Sequence, residues 1–165
     1  LNNGTAGAVS LREREAGDEE YLFALYLSTR DDLLLFPGLD AGKKGELARM
    51  QFVHQDSGYK SRYPKASYDV VLVDKEPAGR FYVHHGEGDV RLLDIIIEER
   101  LRNRGIGSIL LKRLLEEAAE RGRITSLHVN RFSPAVRFYL RHGFAVAGEN
   151  GPYLFMERKP GDRAA

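Results

Sequence analysis

The sequence predicts an α+β domain in which a mixed sheet of about seven strands carries about four helices on its faces. Three observations lead there. Short β-branched runs at residues 68–73, 79–84 and 90–97 are separated only by turn residues, which is how an antiparallel meander reads. Residues 105–121 repeat apolar side chains at helical spacing. A strand, a short helix and a hairpin then follow in close order, so helices and strands are interleaved without strict alternation.

Ala8 to Arg12 alternates apolar and polar residues and predicts the first strand. Asp18, Glu19 and Glu20 place negative charge at a helix start, and Leu22, Leu25, Tyr26 and Thr29 form a helical stripe that runs to about Arg30. Phe36-Pro37-Gly38 breaks the pattern before a second helix over Lys44 to His54, after which Ser57-Gly58 and Tyr63-Pro64 mark an irregular connector. Tyr68 to Val73 is almost continuously apolar, as expected of a strand buried on both faces. Asp74-Lys75-Glu76-Pro77 is a turn, Gly79 to His84 an antiparallel partner, Gly86-Glu87-Gly88-Asp89 another turn, and Val90 to Ile97 the third meander strand. In the helix from Gly105 to Arg121, Ile106, Leu110, Leu114 and Ala118 share a face, Lys112, Glu116 and Glu120 point away, and Gly122 suits the C-terminal cap. Ile124 to Val129 is a strand, Pro134 to His142 a short helix with Pro in its first turn, and Phe144 to Ala147 with Tyr153 to Glu157 a last hairpin.

The chain has 165 residues, 42% hydrophobic and 30% charged, which suits one domain with a sizeable core. Residues 1–7 read as a disordered lead or cloning remnant, 8–158 as the domain and 159–165 as a polar tail. Without cysteine there is no disulfide framework and no thiolate nucleophile or metal ligand. Twenty-five Lys and Arg against 24 Asp and Glu give a net charge of +1, which supplies no basic footprint for nucleic acid. No apolar run approaches the roughly 18 residues that span a bilayer, and no signal segment leads the chain, so no membrane partner and a cytoplasmic location are expected. The five histidines show no metal-binding spacing, and no metal is expected.

The most specific local feature is Arg102-Asn103-Arg104-Gly105-Ile106-Gly107, between a buried strand and the best amphipathic helix. Residues without Cβ let a phosphate approach the backbone, N–H groups converge, and the helix N-terminus favours an anion. On these six residues alone, a phosphate cradle and a plain helix cap fit equally well. Neither common nucleotide fingerprint is present. The segment resembles the acetyl-coenzyme A loop of the GCN5-related N-acetyltransferase (GNAT) family, Gln/Arg-x-x-Gly-x-Gly/Ala. Downstream, Leu127-His128-Val129 and Ser133-Pro134-Ala135 through Tyr139 to Gly143-Phe144 resemble the family's strand, Asn-Pro-Ala, Tyr and Gly-Phe block, with Ser133 where Asn is usual.

The resemblance implies a mainly antiparallel sheet splayed between the fourth and fifth strands, and acetyl-CoA as co-substrate. It implies that the main chain of Ile95, Ile96 and Ile97 faces the pantetheine, that Arg102, Asn103, Arg104, Gly105, Ile106, Gly107 and Ser108 hold the pyrophosphate, and that Ser133 touches the cofactor. It implies acetyl transfer directly to a primary amine of a small molecule or peptide, with Tyr139 as general acid to the departing thiolate. The alternative is a non-catalytic acyl-CoA binding or sensing module.

A lysine-type amine, pKa about 10.4, needs a proton acceptor. Asp94 is the only acid within its apolar run, either a base or a structural carboxylate, and strand alternation sets it on the face opposite Arg91 and Leu93. His84, His85 or a water relay are the other acceptors. Gln51, Gln55 and Tyr59, with His54 and Tyr63, either line an acceptor pocket or form a solvated helix face. Asp31-Asp32 is a short charge run that either attracts an amine or is simply solvated. The exposed edge of the last hairpin offers a homodimer contact.

Overall fold

The computed structural model describes residues 7–30, 38 and 40–162; Asp31-Asp32 and Phe36-Pro37 lie outside the described residues. Among the described residues the chain runs β1 (Val9–Glu13), α1 (Glu19–Leu27), α2 (Ala41–Arg62), β2 (Ser67–Val73), β3 (Glu76–His85), β4 (Asp89–Ile97), α3 (Ile106–Glu120), β5 (Ile124–Asn130), α4 (Ala135–Arg141), β6 (Ala145–Asn150) and β7 (Tyr153–Arg158). The strands form one sheet in the order β1-β2-β3-β4-β5-β7-β6. Every neighbouring pair is antiparallel except β4 and β5.

Adjacent residues of β2 bury themselves in two different cores, as strand alternation requires. Val70 packs with Leu22, Tyr26 and Phe52 under α1 and α2. Val71 packs with Phe81, Leu92, Leu110, Leu127 and Met156 under α3 and α4. Both valines are fully buried, so β2 is covered on both faces.

The start of β3 and both ends of α2 differ from the expected bounds for local reasons. The β2–β3 turn needs only Asp74 and Lys75, both left-handed at φ 52° and 72°. That is the two-residue hairpin geometry matching strand twist, and it lets β3 begin at Glu76. Helix α2 starts earlier and ends later than Lys44–His54. The Asp40 carboxylate accepts from the Lys43 N–H at 2.9 Å as an N-cap. Beyond His54 the helix continues through Ser57 and Gly58 because Tyr59 has a place to go: its ring meets Tyr82 edge-on at 6.2 Å. Mid-helix glycine costs about 1 kcal/mol, and tertiary contact of this kind offsets it.

The feature that matters for function lies at the centre of the sheet. The parallel ladder of β4 and β5 pairs Asp89 to Leu92 with Ile124 to Leu127 and then stops. Beyond it β4 stays paired to β3 as far as Ile97, and β5 stays paired to β7 as far as Asn130. The inner edges of both strands are therefore unpaired and the sheet opens into a V. Gly79 pins one arm of it: a Cβ there would sit 2.2 Å from the Ile96 carbonyl oxygen, so only glycine lets β3 approach β4 so closely.

Candidate functional site

On the α3–α4 side of the V lies a groove of about 820 Å³. Its walls are the strand end Ile95–Ile97, the loop and first turn at Arg102, Asn103 and Gly105–Ser108, and Ser133 and Pro134 with Ala135, Phe138 and Tyr139 of α4. All the residues expected to hold a cofactor thus meet in one place except Arg104, which does not line it. The loop reaches helical geometry through two left-handed residues, Asn103 at φ 60° and Gly105 at φ 82°. The first main-chain bond of α3 runs from the Ile109 N–H to the Gly105 carbonyl at 2.9 Å. The N–H groups of Ile106, Gly107 and Ser108 come before it, and no side chain caps them. They point three donors, with the positive end of the helix dipole, toward the groove. A Cβ at Gly107 would stand 3.5 Å from the Phe138 ring and 3.8 Å from Ile95, both groove walls, so its absence leaves room there for a ligand. The Arg102 Nε donates to the Ile97 carbonyl at 3.0 Å and ties the loop to the strand end. Ser133 Oγ accepts from the Ala135 N–H at 3.2 Å, so the hydroxyl caps α4 and keeps its own proton for another acceptor. An acyl-CoA fits this donor set: free N–H groups for a pyrophosphate and an unpaired strand edge for an amide-bearing arm.

A second cavity, of about 480 Å³, opens on the α2 side of the same V. Gln55 and Tyr59 of α2 line it, opposite Arg91 and Leu93 of β4, His128 of β5 and Tyr153 of the last hairpin. Gln51 does not; its side-chain oxygen accepts from the Tyr26 hydroxyl at 3.5 Å, between α1 and α2.

Residues 37–144 match the model of the acetyltransferase (GNAT) family, well over half of the chain. The chain belongs to the GNAT family. Over 86 residues it is 35% identical to the uncharacterized N-acetyltransferase YjcF of Bacillus subtilis (strain 168). That match covers 50% of this chain and 59% of the relative, so the chain matches little more than half of that protein's length. The fold is similar to that of the PaiA N-acetyltransferase from Thermoplasma acidophilum, solved in complex with coenzyme A: 18% identity, TM-score 0.67, covering 92% of this chain and 99% of that one. It is also similar to the ribosomal-protein-S18-alanine N-acetyltransferase from Escherichia coli: 15% identity, TM-score 0.63, covering 96% of each chain.

Within this GNAT domain the titratable groups cluster at the V. Tyr139 is 7% exposed and packed between Phe138 and Phe144, with ring centroids 5.4 and 5.7 Å away. Burial, and then the charge of nearby Asp94, push its phenol above the usual tyrosine value, so it keeps its proton. Asp94 is not on the face opposite Arg91. A bulge at Leu93 shifts the register, so that Tyr82 faces Asp94 whereas Val83 faces Leu92. The extra residue inverts the alternation and puts Asp94 on the α2 side. There it forms an ion pair with Arg80, which is 2% exposed, donates to Gln55 Oε1 at 3.0 Å and lies 5.1 Å from the Tyr82 ring centre. The bulge carbonyl of Leu93 accepts from the Tyr59 hydroxyl at 3.2 Å. Asp94 is thus the counter-ion of a buried guanidinium.

His84 packs on Tyr63 with centroids 5.0 Å apart, and His85 turns the other way, 3.6 Å from Glu117; neither lines the cavity on the α2 side. The histidine that does so beside the strand edge is His128, which sequence reasoning passed over. Its ring stacks on Phe155 with centroids 5.0 Å apart. Partial burial in the cavity wall, then Arg91 and Arg62, push its imidazole below the ordinary 6.5. Among the described residues no group of three His, Cys, Asp or Glu side chains is placed to hold a metal ion. None of the described helices is long and apolar enough to cross a membrane.

Proposed function

We propose that the protein moves an acetyl group from acetyl-CoA directly to a primary amine of a small molecule or peptide. The observation that carries this reading is the pair of cavities on the two sides of one V-shaped opening, one walled by free backbone donors and the other by polar side chains. Acetyl-CoA supplies an activated thioester. The N–H groups of Ile106, Gly107 and Ser108 hold its pyrophosphate, with Arg102 and Asn103 alongside, and the unpaired main chain of Ile95–Ile97 aligns the pantetheine as a sheet edge aligns a strand. The amine enters from the α2 side, past Gln55 and Tyr59. His128, neutral at pH 7, takes the proton that the amine loses as the N–C bond forms. Tyr139 gives its phenolic proton to the sulfur as the C–S bond breaks. Asp94 holds Arg80, and with it the floor of the V, in place.

Calorimetric titration with acetyl-CoA tests the cradle. Binding in the micromolar range by the parent should weaken at least tenfold in both Gly105→Asp and Gly107→Asp, which bring negative charge to the donors. Thiol release with a panel of amines tests turnover, and Tyr139→Phe should lower kcat by about two orders of magnitude. Binding without thiol release from any amine would mark an acyl-CoA sensing module; no binding would overturn the reading altogether.

A further inference from the structure

The cavity on the α2 side has an uneven charge. Arg62, in the last turn of α2, and Arg91, in β4, both line it, and no Asp or Glu does so among the described residues. The acids nearest to it are already committed. Asp89 lies 3.1 Å from the Arg91 guanidinium, and Asp94 is paired with Arg80. Arg62 has no carboxylate within ion-pair distance among the described residues. Each acid therefore balances one arginine and a positive charge is left over at the mouth of the cavity.

Arg91 is also held like a recognition element. Its Nε donates to Ser126 Oγ at 3.1 Å, and its two terminal nitrogens donate to the Tyr63 hydroxyl at 3.3 Å and to Asp89 at 3.1 Å. Three of its five N–H groups are engaged, and the remaining two sit in a fork fixed from three sides. The surplus charge is felt inside the cavity, because both arginines help to keep His128 neutral. The same field favours the unprotonated form of an arriving amine, which is the reactive one.

We infer that the natural acceptor is an amine that also bears an anionic group, a carboxylate or a phosphate, seated between Arg62 and Arg91 while its amino group faces the V. The inference rests on the acetyl-transfer reading and names its substrate class. A polycation such as a polyamine or an aminoglycoside would bring several positive charges to a wall that has no anion to spare.

The test compares matched acceptors in the thiol-release assay: glycine against glycinamide, glutamate against glutamine, and O-phosphoethanolamine against ethanolamine, with spermidine as the polycation. At least one anionic acceptor should exceed its neutral partner tenfold or more in kcat/KM, chiefly through KM, and spermidine should be poorest. The first two pairs report a carboxylate and the third a phosphate. Arg62→Gln, a change on an exposed helix turn, should collapse the ratio, chiefly through KM. Preference for spermidine or for the neutral partners, or a ratio untouched by Arg62→Gln, would overturn the inference. A second readout does not need turnover: calorimetry of N-acetylglycine, N-acetylglutamate and N-acetylspermidine with the protein and coenzyme A together. Tighter binding of the anionic amides, lost in Arg62→Gln, supports the inference even if every amine in the panel proves unreactive, a result that would count only against acetyl transfer. Equal or reversed affinities would overturn it.

Discussion

If His128 is the proton acceptor, as proposed, what stands around it is what suits an ordinary strand side chain to the task. Burial in the cavity wall, and then two arginines, push the ring's pKa below that of a free imidazole. In that reading the neutral ring is the active form, so kcat at saturating amine should stay level as pH falls through about 6.5 and decline only below it. His128→Gln should remove that acidic limb and lower the plateau by about two orders of magnitude. A profile unchanged by the substitution would return the proton to water. Tyr139 was named through the family resemblance of Ser133 to Phe144, one contiguous run, and contiguous runs are legible in a sequence. His128 and Arg91 were not, for two physical reasons. Their cavity is assembled from five separate elements, and the bulge at Leu93, which no residue type marks, reverses the facing on which the sequence argument about Asp94 depended.

Among the elements, the strands and α3 follow their sequence patterns closely because each pattern is local, a turn pair or a repeating stripe. Helix α2 does not. It is polar along most of its length and buries only Ala48 and Phe52, so its last two turns depend on Tyr59 reaching β3 and β4, a contact invisible in a linear reading. The start of α1 is set by electrostatics. Arg12 of β1 grips Asp18 with two parallel bonds of 2.8 Å, and the Glu15 N–H adds a third at 2.8 Å. The Arg12 guanidinium, foremost, and that backbone bond hold the Asp18 carboxyl down at about 2, against an ordinary 3.8. A depressed carboxylate stabilises the fold above its unfolded value and loses that contribution as pH falls through its folded one. Asp18→Asn should therefore cost about 1 kcal/mol in urea unfolding at pH 7 and almost nothing near pH 2. An equal cost at both pH values would mean that the amide disturbs packing and that charge is not the cause.

For the whole molecule, the order of elements was readable and the position of the opening came only through family resemblance, since no local pattern says where a ladder stops. Physically the sheet is two half-sheets joined by four residue pairs, Asp89 to Leu92 against Ile124 to Leu127. Proteins normally cover, charge or shorten the rim of a sheet, where unsatisfied amides wait for a partner. Here a rim lies in the middle of the sheet, along the groove that Ile95–Ile97 line. Amide exchange should show it. The N–H groups on the free side of Ile95–Ile97 should exchange within the fast class in the unliganded protein and slow markedly with coenzyme A, as β1 and β2 stay unchanged. The ligand would then serve as the missing stitch of a seam, and the protein's tolerance to heat should rise with the concentration of coenzyme A.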